Sequence, residues 1–255
     1  MQRYFISEER KTTYQTTEII LSDEQYHHIT RVMRMEIGNQ IYLVFPDQKA
    51  IIAKIVKIEN DSVALLWVSD EISQKELPIE VTIASGLPKG DKLDYIIQKG
   101  TELGASFFIP FQASYSITKW DKKKSEKKIT RLKKISQEAA EQSHRTRIPE
   151  ISPVVTFKEL LNLADSYDAC LVAYEESAKE GEVLNFAKTL NKLQFNDKVL
   201  VVFGPEGGLS HEEIGSLIKV GMTICSLGPR ILRTETAPLY ALAAISYHFE
   251  LNKKQ

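Results

Sequence analysis

Two turn-rich segments in the last quarter of the chain concentrate side chains that could bind or activate a ligand. Each follows an apolar run typical of a strand, and one helix-length segment separates them. They are Gly-Pro-Glu-Gly-Gly at Gly204–Gly208 and Leu-Gly-Pro-Arg-Ile-Leu-Arg-Thr-Glu-Thr-Ala at Leu227–Ala237. Open parallel sheets bind ligands beyond the carboxyl ends of their strands. We therefore expect the two loops to lie side by side, after neighbouring strands, and to form a site.

The first loop has the wrong charge for a phosphate site. A phosphate-binding loop needs a lysine and a metal-binding hydroxyl, whereas Gly204–Ser210 has no lysine and places Glu206 at its centre. The glycine spacing also differs from the dinucleotide fingerprint. This argues against a nucleotide-phosphate hydrolase and favours an adenosine-type ligand without phosphates. A tight turn with a surface acid is the simpler alternative.

The second loop carries two arginines. Arg230 and Arg233 could pair with phosphate, stabilise a developing anion, or bridge to Glu206 and Glu235 in a purely structural network. Glycine and proline in both loops let the backbone approach a ligand closely while keeping its shape. The residues alone leave these three roles open.

Bulk composition narrows the class of protein. The 255 residues are 43% hydrophobic and carry a net charge of −1, so any nucleic-acid contact must come from local clustering. Cys170 and Cys225 lack metal-like spacing and predict reduced core residues. No apolar run reaches the roughly 18 residues that span a bilayer, and the N-terminus lacks a secretory layout. We expect a cytoplasmic protein with neither a metal nor a membrane partner.

One basic cluster does occur. Lys119–Lys134 holds nine basic residues against Asp121 and Glu126, with apolar residues at helical spacing in its second half. The pattern predicts a helix with one buried stripe. Its basic face is either a solvated surface or a nonspecific attraction for RNA.

The element pattern predicts two domains. Residues 1–70 are mostly β, the polar segment 71–78 is a candidate linker, and from residue 79 onwards strands and helices alternate. Alternation predicts an α/β domain with a parallel sheet. Capping boxes are predicted where a hydroxyl precedes an acid or amide by three residues. They are Ser22 with Gln25, Thr156 with Glu159, and Ser210 with Glu213.

Taken together, the two loops resemble those of the bacterial 16S ribosomal RNA uridine N3-methyltransferases, which belong to the SPOUT class of S-adenosylmethionine (SAM) enzymes. Met33, where leucine is commoner, and Leu209, where an aromatic is common, are mild departures. The resemblance extends over nearly the whole chain, through Arg3–Phe5, His27–Arg34, Lys89–Lys92, Gln98–Gly104 and Glu138–Arg145.

This resemblance implies a fold, a cofactor and partners. The expected fold is α/β, with a knotted, parallel-sheet SPOUT-like domain at 79–255 and a small RNA-binding PUA-like β-barrel at 1–70. SAM would be the cofactor. The expected partners are 16S rRNA or the small ribosomal subunit, and a second copy of the chain that packs on the last helix. The implied reaction is methylation of N3 of a specific uridine. Two alternatives remain: a SPOUT enzyme with another RNA target, such as a ribose hydroxyl or a guanine nitrogen, and a non-catalytic RNA-binding assembly factor.

The resemblance also assigns residues. Arg233, with Arg230 as second choice, would stabilise uridine anion character, and Glu206 and Glu235 would orient ribose or arginine or accept a proton. The expected SAM contacts are Ala173, Tyr174, Gly204, Pro205, Glu206, Gly207, Leu227, Gly228, Ile231, Leu232, Thr236 and Ala237. The expected RNA contacts are Arg3, Arg31, Arg34, Lys89, Lys99, Gln142 and Arg145.

Overall fold

A computed structural model describes residues 1–11, 13–72, 74–175 and 184–252, apart from the side chain of Lys122. The chain forms two compact units. The first combines Met1–Glu76 with Ala140–Arg147, and the second combines Leu77–Ala139 with Ile148–Gln255. The start of the helix that the sequence predicts from Glu182 lies outside the described residues.

The first unit is a five-stranded sheet. Its strands are β1 (Arg3–Phe5), β2 (Ile19–Ser22), β3 (Gln40–Val44), β4 (Ala50–Ile58) and β5 (Ser62–Asp70). They pair in the order β1-β3-β4-β5-β2, antiparallel except for the parallel pair β1 and β3. Two register shifts interrupt the pairing of the long strands β4 and β5. Such irregularities bend a strand and increase its twist, which suits a sheet that curls around its own core.

A short helix, α1 (Asp23–His27), follows β2 and continues as a π-helical turn at His28–Val32. The predicted capping box at its start is wrong. Ser22 makes no side-chain capping bond, and the Gln25 amide instead donates a 2.9 Å hydrogen bond to the Phe5 carbonyl. A contact distant in sequence therefore takes the group that the local pattern assigned to the cap.

Two buried arginines organise the polar interior of this unit. Arg3 is 1% exposed, and its Nη2 lies 2.8 and 2.6 Å from the two carboxylate oxygens of Glu71. Its guanidinium also lies over the Tyr42 ring, 4.7 Å from the centroid. Arg145 is 2% exposed and binds Glu76, with 3.0 Å between Nε and Oε2. A buried charge is tolerated only when it is paired in this way.

This burial corrects the expectation that Arg3 and Arg145 contact RNA. Their guanidinium groups are enclosed by protein and already bound to carboxylates. A direct phosphate contact would require breaking a buried ion pair, which costs more than a surface contact returns. We assign both residues a structural role in the first unit.

The second unit is built on a parallel sheet. Its strands are β6 (Glu80–Gly86), β7 (Phe107–Gln112), β8 (Glu150–Ile151), β9 (Val155–Thr156), β10 (Ala169–Ala173), β11 (Lys198–Phe203) and β12 (Thr223–Cys225). The order is β12-β10-β11-β6-β7-β8, β9 also pairs with β7, and every pairing is parallel. The helices are α2 (Lys92–Glu102), α3 (Lys122–Gln142), α4 (Phe157–Leu161), α5 (Asn185–Leu190), α6 (His211–Lys219) and α7 (Ala237–Ser246). The predicted α/β class with a parallel sheet is confirmed.

Both faces of this sheet are covered. Along β11, Val199, Val201 and Phe203 join one core, while Leu200 and Val202 join another. Successive side chains of a strand point to opposite faces, so the two cores lie on the two sides of the sheet. The first core takes residues from α2, α3, α5 and α7, and the second takes residues from α4 and α6. Burial on both faces explains why β11 is apolar from Val199 to Phe203.

The strand order changes one detail of the expected site. The loops after β11 and β12 do not follow neighbouring strands, because β10 lies between these two strands and pairs with both. Parallel strands still end at a common edge. The end of β10 therefore lies between the glycine loop (Gly204–Gly208) and the arginine loop (Leu227–Ala237), where it can contribute residues of its own.

The structural role of the buried Arg3–Glu71 ion pair can be tested by substitution. Glu71→Ala leaves a fully buried guanidinium without its counter-charge and should destabilise the first unit by about 3–5 kcal/mol. The double change Arg3→Met with Glu71→Leu removes both charges and should cost far less. Trp67 fluorescence during urea unfolding, in a Trp120→Phe background, reports on the first unit alone. A wild-type midpoint for Glu71→Ala would contradict the structural role.

Candidate functional site

A cavity of about 600 Å³ lies at the carboxyl ends of the parallel strands. Its volume is in the range of small-molecule sites. It is lined by most of the residues that the sequence assigned to SAM: Ala173, Tyr174, Gly204, Pro205, Glu206, Gly207, Leu227, Ile231, Leu232 and Ala237. Arg230 and Arg233 also line it. Two further predicted contacts are not among the lining residues. Gly228 instead donates its N–H to the Ser226 hydroxyl, and Thr236 precedes α7, so both shape the arginine loop.

The glycine loop (Gly204–Gly208) is a tight turn that only small residues permit. The Gly208 N–H donates a 2.8 Å bond to the Pro205 carbonyl, and Gly208 has φ of +73°. A Cβ on Gly204 would lie 2.9 Å from the Gly208 carbonyl carbon. Such a contact is too short for the turn to keep its shape. The loop therefore presents backbone, rather than side chains, to much of the cavity.

The far end of the glycine loop is fixed by the start of α6. Ser210 and Glu213 form the predicted capping box, which satisfies the free N–H groups at the helix start. The Glu213 carboxylate also accepts a 2.8 Å bond from the Ser114 N–H. One buried acid thus ties α6 to the segment after β7.

The near end of the loop packs against the end of β6. A Cβ on Gly86 would lie 2.5 Å from Pro205 Cδ and 2.8 Å from Pro205 N. Only glycine allows this approach. The contact places the turn that follows β6 beside the glycine loop.

Lys92, at the start of α2, joins three of the surrounding loops. Its Nζ lies 2.9 Å from Glu206 Oε1 and 3.3 Å from Glu235 Oε2. Glu206 also accepts a 3.1 Å bond from the Lys89 N–H. The ammonium therefore links the turn after β6, the glycine loop and the arginine loop at one point.

These contacts shift the titration of both partners in opposite directions. The hydrogen bond to Glu206 raises the pKa of Lys92, with Glu235 adding to the effect. Burial alone would raise the pKa of Glu206, but the bonds from Lys92 and from the backbone outweigh it and lower that pKa. Glu206 is therefore ionised at neutral pH, and Lys92 is cationic.

The two arginines have no such partners. Arg230 and Arg233 are exposed at the cavity, and among the described residues no hydrogen bond or ion pair engages either guanidinium. The structural network that the sequence left open is formed by Lys92 instead of by the arginines. Both cations therefore remain available to a ligand or substrate.

The sequence gave no ligand-binding role to several residues that line the cavity. Lys92 is the most consequential, and Tyr115, Ser210 and His211 also line it. The signal for Lys92 was its position in a turn directly after a strand whose carboxyl end meets the same edge. The glycine loop itself has no lysine, but the assembled cavity does, because Lys92 lines it.

The remaining predicted RNA contacts are dispersed. In the second unit, Lys89 is exposed, whereas Lys99 is bound to Glu102 with 2.7 Å between Nζ and Oε1. In the first unit, Arg31, Arg34 and Gln142 are exposed. Their contact with RNA stays a prediction.

Two other kinds of feature are absent from the described ranges. No cluster of three or more His, Cys, Asp or Glu side chains there is arranged to hold a metal ion. None of the described helices is both long and apolar enough to cross a membrane.

Comparison with known proteins places the chain in a family. Residues 75–246 match the family model described as an RNA methyltransferase domain, and residues 21–66 match an RNA methyltransferase PUA domain. The chain belongs to this RNA methyltransferase family. The match covers every loop around the cavity.

The chain is similar to individual proteins over nearly their full length. The chain is 49% identical to the ribosomal RNA small subunit methyltransferase E of Bacillus subtilis over 251 residues, which is 98% of each chain. A crystal structure described as a hypothetical protein is 46% identical, with a TM-score of 0.91 over 98% of this chain and 99% of the other. The methyltransferase E of Neisseria gonorrhoeae, solved bound to SAM, is 26% identical, with a TM-score of 0.81 over 96% and 97% of the two chains.

The ion pairs of Lys92 generate a prediction for pH-dependent stability. In Lys92→Met, the pKa of Glu206 should rise, because the strongest group lowering it is removed. A lowered carboxyl pKa stabilises the fold above the ordinary Glu value, and a raised lysine pKa stabilises it below the ordinary Lys value. The stability difference from wild type should therefore be present near neutral pH, at about 1 kcal/mol or less because the pair is partly exposed, and should vanish in acid.

NMR titration of the Glu206 side-chain carboxyl carbon measures the shift directly. Lys89→Met is the matched control, because Lys89 contributes only its backbone N–H, which the substitution preserves. An unchanged Glu206 titration in Lys92→Met would contradict the contact.

Proposed function

We propose that this protein transfers a methyl group from SAM to a uridine in the RNA of the small ribosomal subunit. The observation that carries the proposal is the cavity, in which the glycine loop (Gly204–Gly208) and the arginine loop (Leu227–Ala237) meet at the edge of a parallel sheet. Membership of the RNA methyltransferase family supports the reaction class. The SAM-bound Neisseria gonorrhoeae relative supports the cofactor, and the name of the Bacillus subtilis relative supports the RNA.

The lining residues fit SAM by their chemistry. Apolar side chains such as Leu227, Ile231 and Leu232 offer a surface for an adenine ring, beside exposed backbone of the glycine loop. The ionised Glu206 can accept hydrogen bonds from ribose hydroxyls and is compatible with a cationic ligand, whereas it disfavours phosphate. Lys92 does not change this preference, because two carboxylates neutralise it. When bound, SAM supplies an electrophilic methyl group.

For the target atom, we propose uridine N3. This nitrogen becomes nucleophilic only as its proton leaves, so the site must stabilise negative charge on the base. Arg233, which is unpaired in the described part of the chain and lines the cavity, is suited to this role, with Arg230 next to it. Cations that are positioned in advance stabilise developing charge without reorganisation. Positioning of the two reactants supplies the rest.

The proton from N3 needs an acceptor. Glu206 is a poor one, because its pKa is held low by Lys92 and by backbone bonds. We therefore assign Glu206 to holding the loops and the ligand, and leave proton acceptance to Glu235 or to solvent. This narrows the roles that the sequence gave equally to both acids.

RNA access and assembly complete the proposal. A uridine in folded RNA must be unpaired or flipped before it can enter a cavity. The first unit, which matches a PUA domain, is the proposed docking module. A homodimer through α7 and the π-helical turn that follows it (Tyr247–Leu251) is proposed from their outer surface, where Tyr240 and Tyr247 are 43% and 59% exposed. Action on ribosomal RNA in turn implies a cytoplasmic location.

The deciding experiment is methyl transfer from labelled SAM to protein-free 16S rRNA and to small ribosomal subunits that lack the modification. We expect 3-methyluridine at one position, identified by nucleoside mass spectrometry and mapped by a reverse-transcription stop. A methylated ribose or guanine would replace the proposed target within the same class. Absence of saturable SAM binding by calorimetry would support the non-catalytic assembly factor instead.

Replacement of the central arginine tests the mechanism. Arg233→Ala should lower the rate of methyl transfer by at least about a hundredfold, the order seen when a stabilising donor is removed, while SAM binding is largely retained. Arg230→Ala, on the same loop, should have the smaller effect. Single-turnover rates and calorimetry with SAM separate the two quantities, and wild-type turnover in Arg233→Ala would remove this residue from the mechanism.

A further inference from the structure

The first half of α3 carries the densest positive charge in the chain. Between residues 122 and 134 lie eight of the 33 basic residues and only one of the 34 acidic residues, Glu126. Because the whole chain has a net charge of −1, this concentration is local and not a reflection of composition.

The helix is held firmly, so its basic face has a fixed orientation within the second unit. Ile129 and Leu132 are buried in the core, and the Ser136 hydroxyl donates a 3.1 Å bond to the Pro149 carbonyl. At the start of the helix, the Asp121 carboxylate accepts a 2.8 Å bond from the Lys124 N–H. The opposite face is left to solvent.

Three lysines align on that exposed face. Lys123, Lys127 and Lys134 follow one another at spacings of four and seven residues, which places them on one side of a helix. All three are exposed, and none of their ammonium groups has a hydrogen bond or ion pair among the described residues. We call them the lysine stripe. At 1.5 Å per residue the stripe is about 16 Å long, a length that covers several phosphates of one strand.

Two members of the lysine stripe, Lys123 and Lys127, oppose the stability of their own helix. Lys123 lies in the first turn, which contains no acidic residue, and cations near a helix N-terminus are unfavourable. Lys123 and Lys127 also repel each other at a spacing of four. These charges lower the stability of the helix and have no partner among the described residues. A partner outside the chain would explain them.

An ion pair on α3 links the helix that carries the stripe to the helix that borders the cavity. Arg131, one turn beyond Lys127, forms a 2.6 Å ion pair with Asp94 in the first turn of α2. Two residues earlier on that helix, Lys92 lines the cavity. The basic face of α3 is thus tied to the helix whose start borders the site.

We propose that the lysine stripe binds the phosphate backbone of the RNA substrate and holds the strand beside the cavity without reading its sequence. The same exposed face carries Thr130 between the lysines and Gln137 beyond them, and no apolar side chain. This favours a polyanion over a protein, whose interfaces depend on apolar and aromatic anchors. The identity of the anion as substrate RNA rests on the proposed function, whereas phosphate binding by the stripe does not.

The test is a triple variant, Lys123→Gln with Lys127→Gln and Lys134→Gln, in the full chain. Binding of protein-free 16S rRNA should weaken by about tenfold or more. The negative slope of log K against log salt should become shallower by about two to three. The KM for RNA should rise, with kcat at saturating RNA and the affinity for SAM unchanged. The thermal midpoint should stay equal or rise, since the stripe does not stabilise the helix.

Two controls separate this effect from net charge and from misfolding. Lys188→Gln with Lys192→Gln and Lys219→Gln removes three exposed lysines of the same unit and should leave the salt slope at the wild-type value. The triple Lys→Arg variant of the stripe should restore binding, because it restores the charge.

An unchanged salt slope and RNA KM in the stripe variant would overturn the proposal, as would an equal loss in the control triple. Loss of binding to a ribosomal protein, with rRNA affinity intact, would also overturn it. If wild-type protein binds rRNA but transfers no methyl group, the proposed function fails while the binding measurements still decide the role of the stripe.

Discussion

The candidate site depends on backbone approaches that a single Cβ atom would block. Gly86 at the end of β6 meets Pro205 so closely that a methyl group there would lie 2.5 Å from the proline ring, and Gly204 meets Gly208 in the same way. The first contact places the end of β6 against the glycine loop, and the second gives that loop its shape. Only then can Lys92 reach Glu206 and Glu235 together. The electrostatics of the cavity are thus a consequence of its packing.

This dependence of charge on packing explains why the cavity contains one paired cation and two unpaired ones among the described residues. The Lys92 ammonium is paired with two carboxylates. These pairs hold three loops together and neutralise the lysine charge. Arg230 and Arg233 are exposed and unpaired among the described residues, so their charge is available to an incoming molecule. A preorganised site needs both kinds of group, because fixed loops hold in place the backbone that carries the free cations. Glu206, whose pKa is lowered by Lys92 and by backbone bonds, is one of the groups that hold the loops.

Local sequence signals predicted much of the second unit. The apolar run Lys198–Phe203 is the strand β11 with the predicted bounds, and the capping boxes at Thr156 and Ser210 are both present. Glycine spacing identified the loop that borders the cavity. These features succeed because each depends on residues only a few positions apart. The same logic failed at Ser22, where Gln25 bonds the distant Phe5 carbonyl instead of the helix start.

What sequence could not supply was the pairing of distant groups. Strand order is set by contacts between residues far apart along the chain, so β10 between β11 and β12 was not foreseen. The fate of a charged side chain depends in the same way on what folds against it. Arg3 and Lys123 are both basic residues, yet Arg3 is buried against Glu71 and Lys123 is exposed. Burial with a partner makes a charge structural, and exposure without one leaves it free for recognition. A basic residue with a buried internal partner is therefore not free to bind RNA, whatever its type.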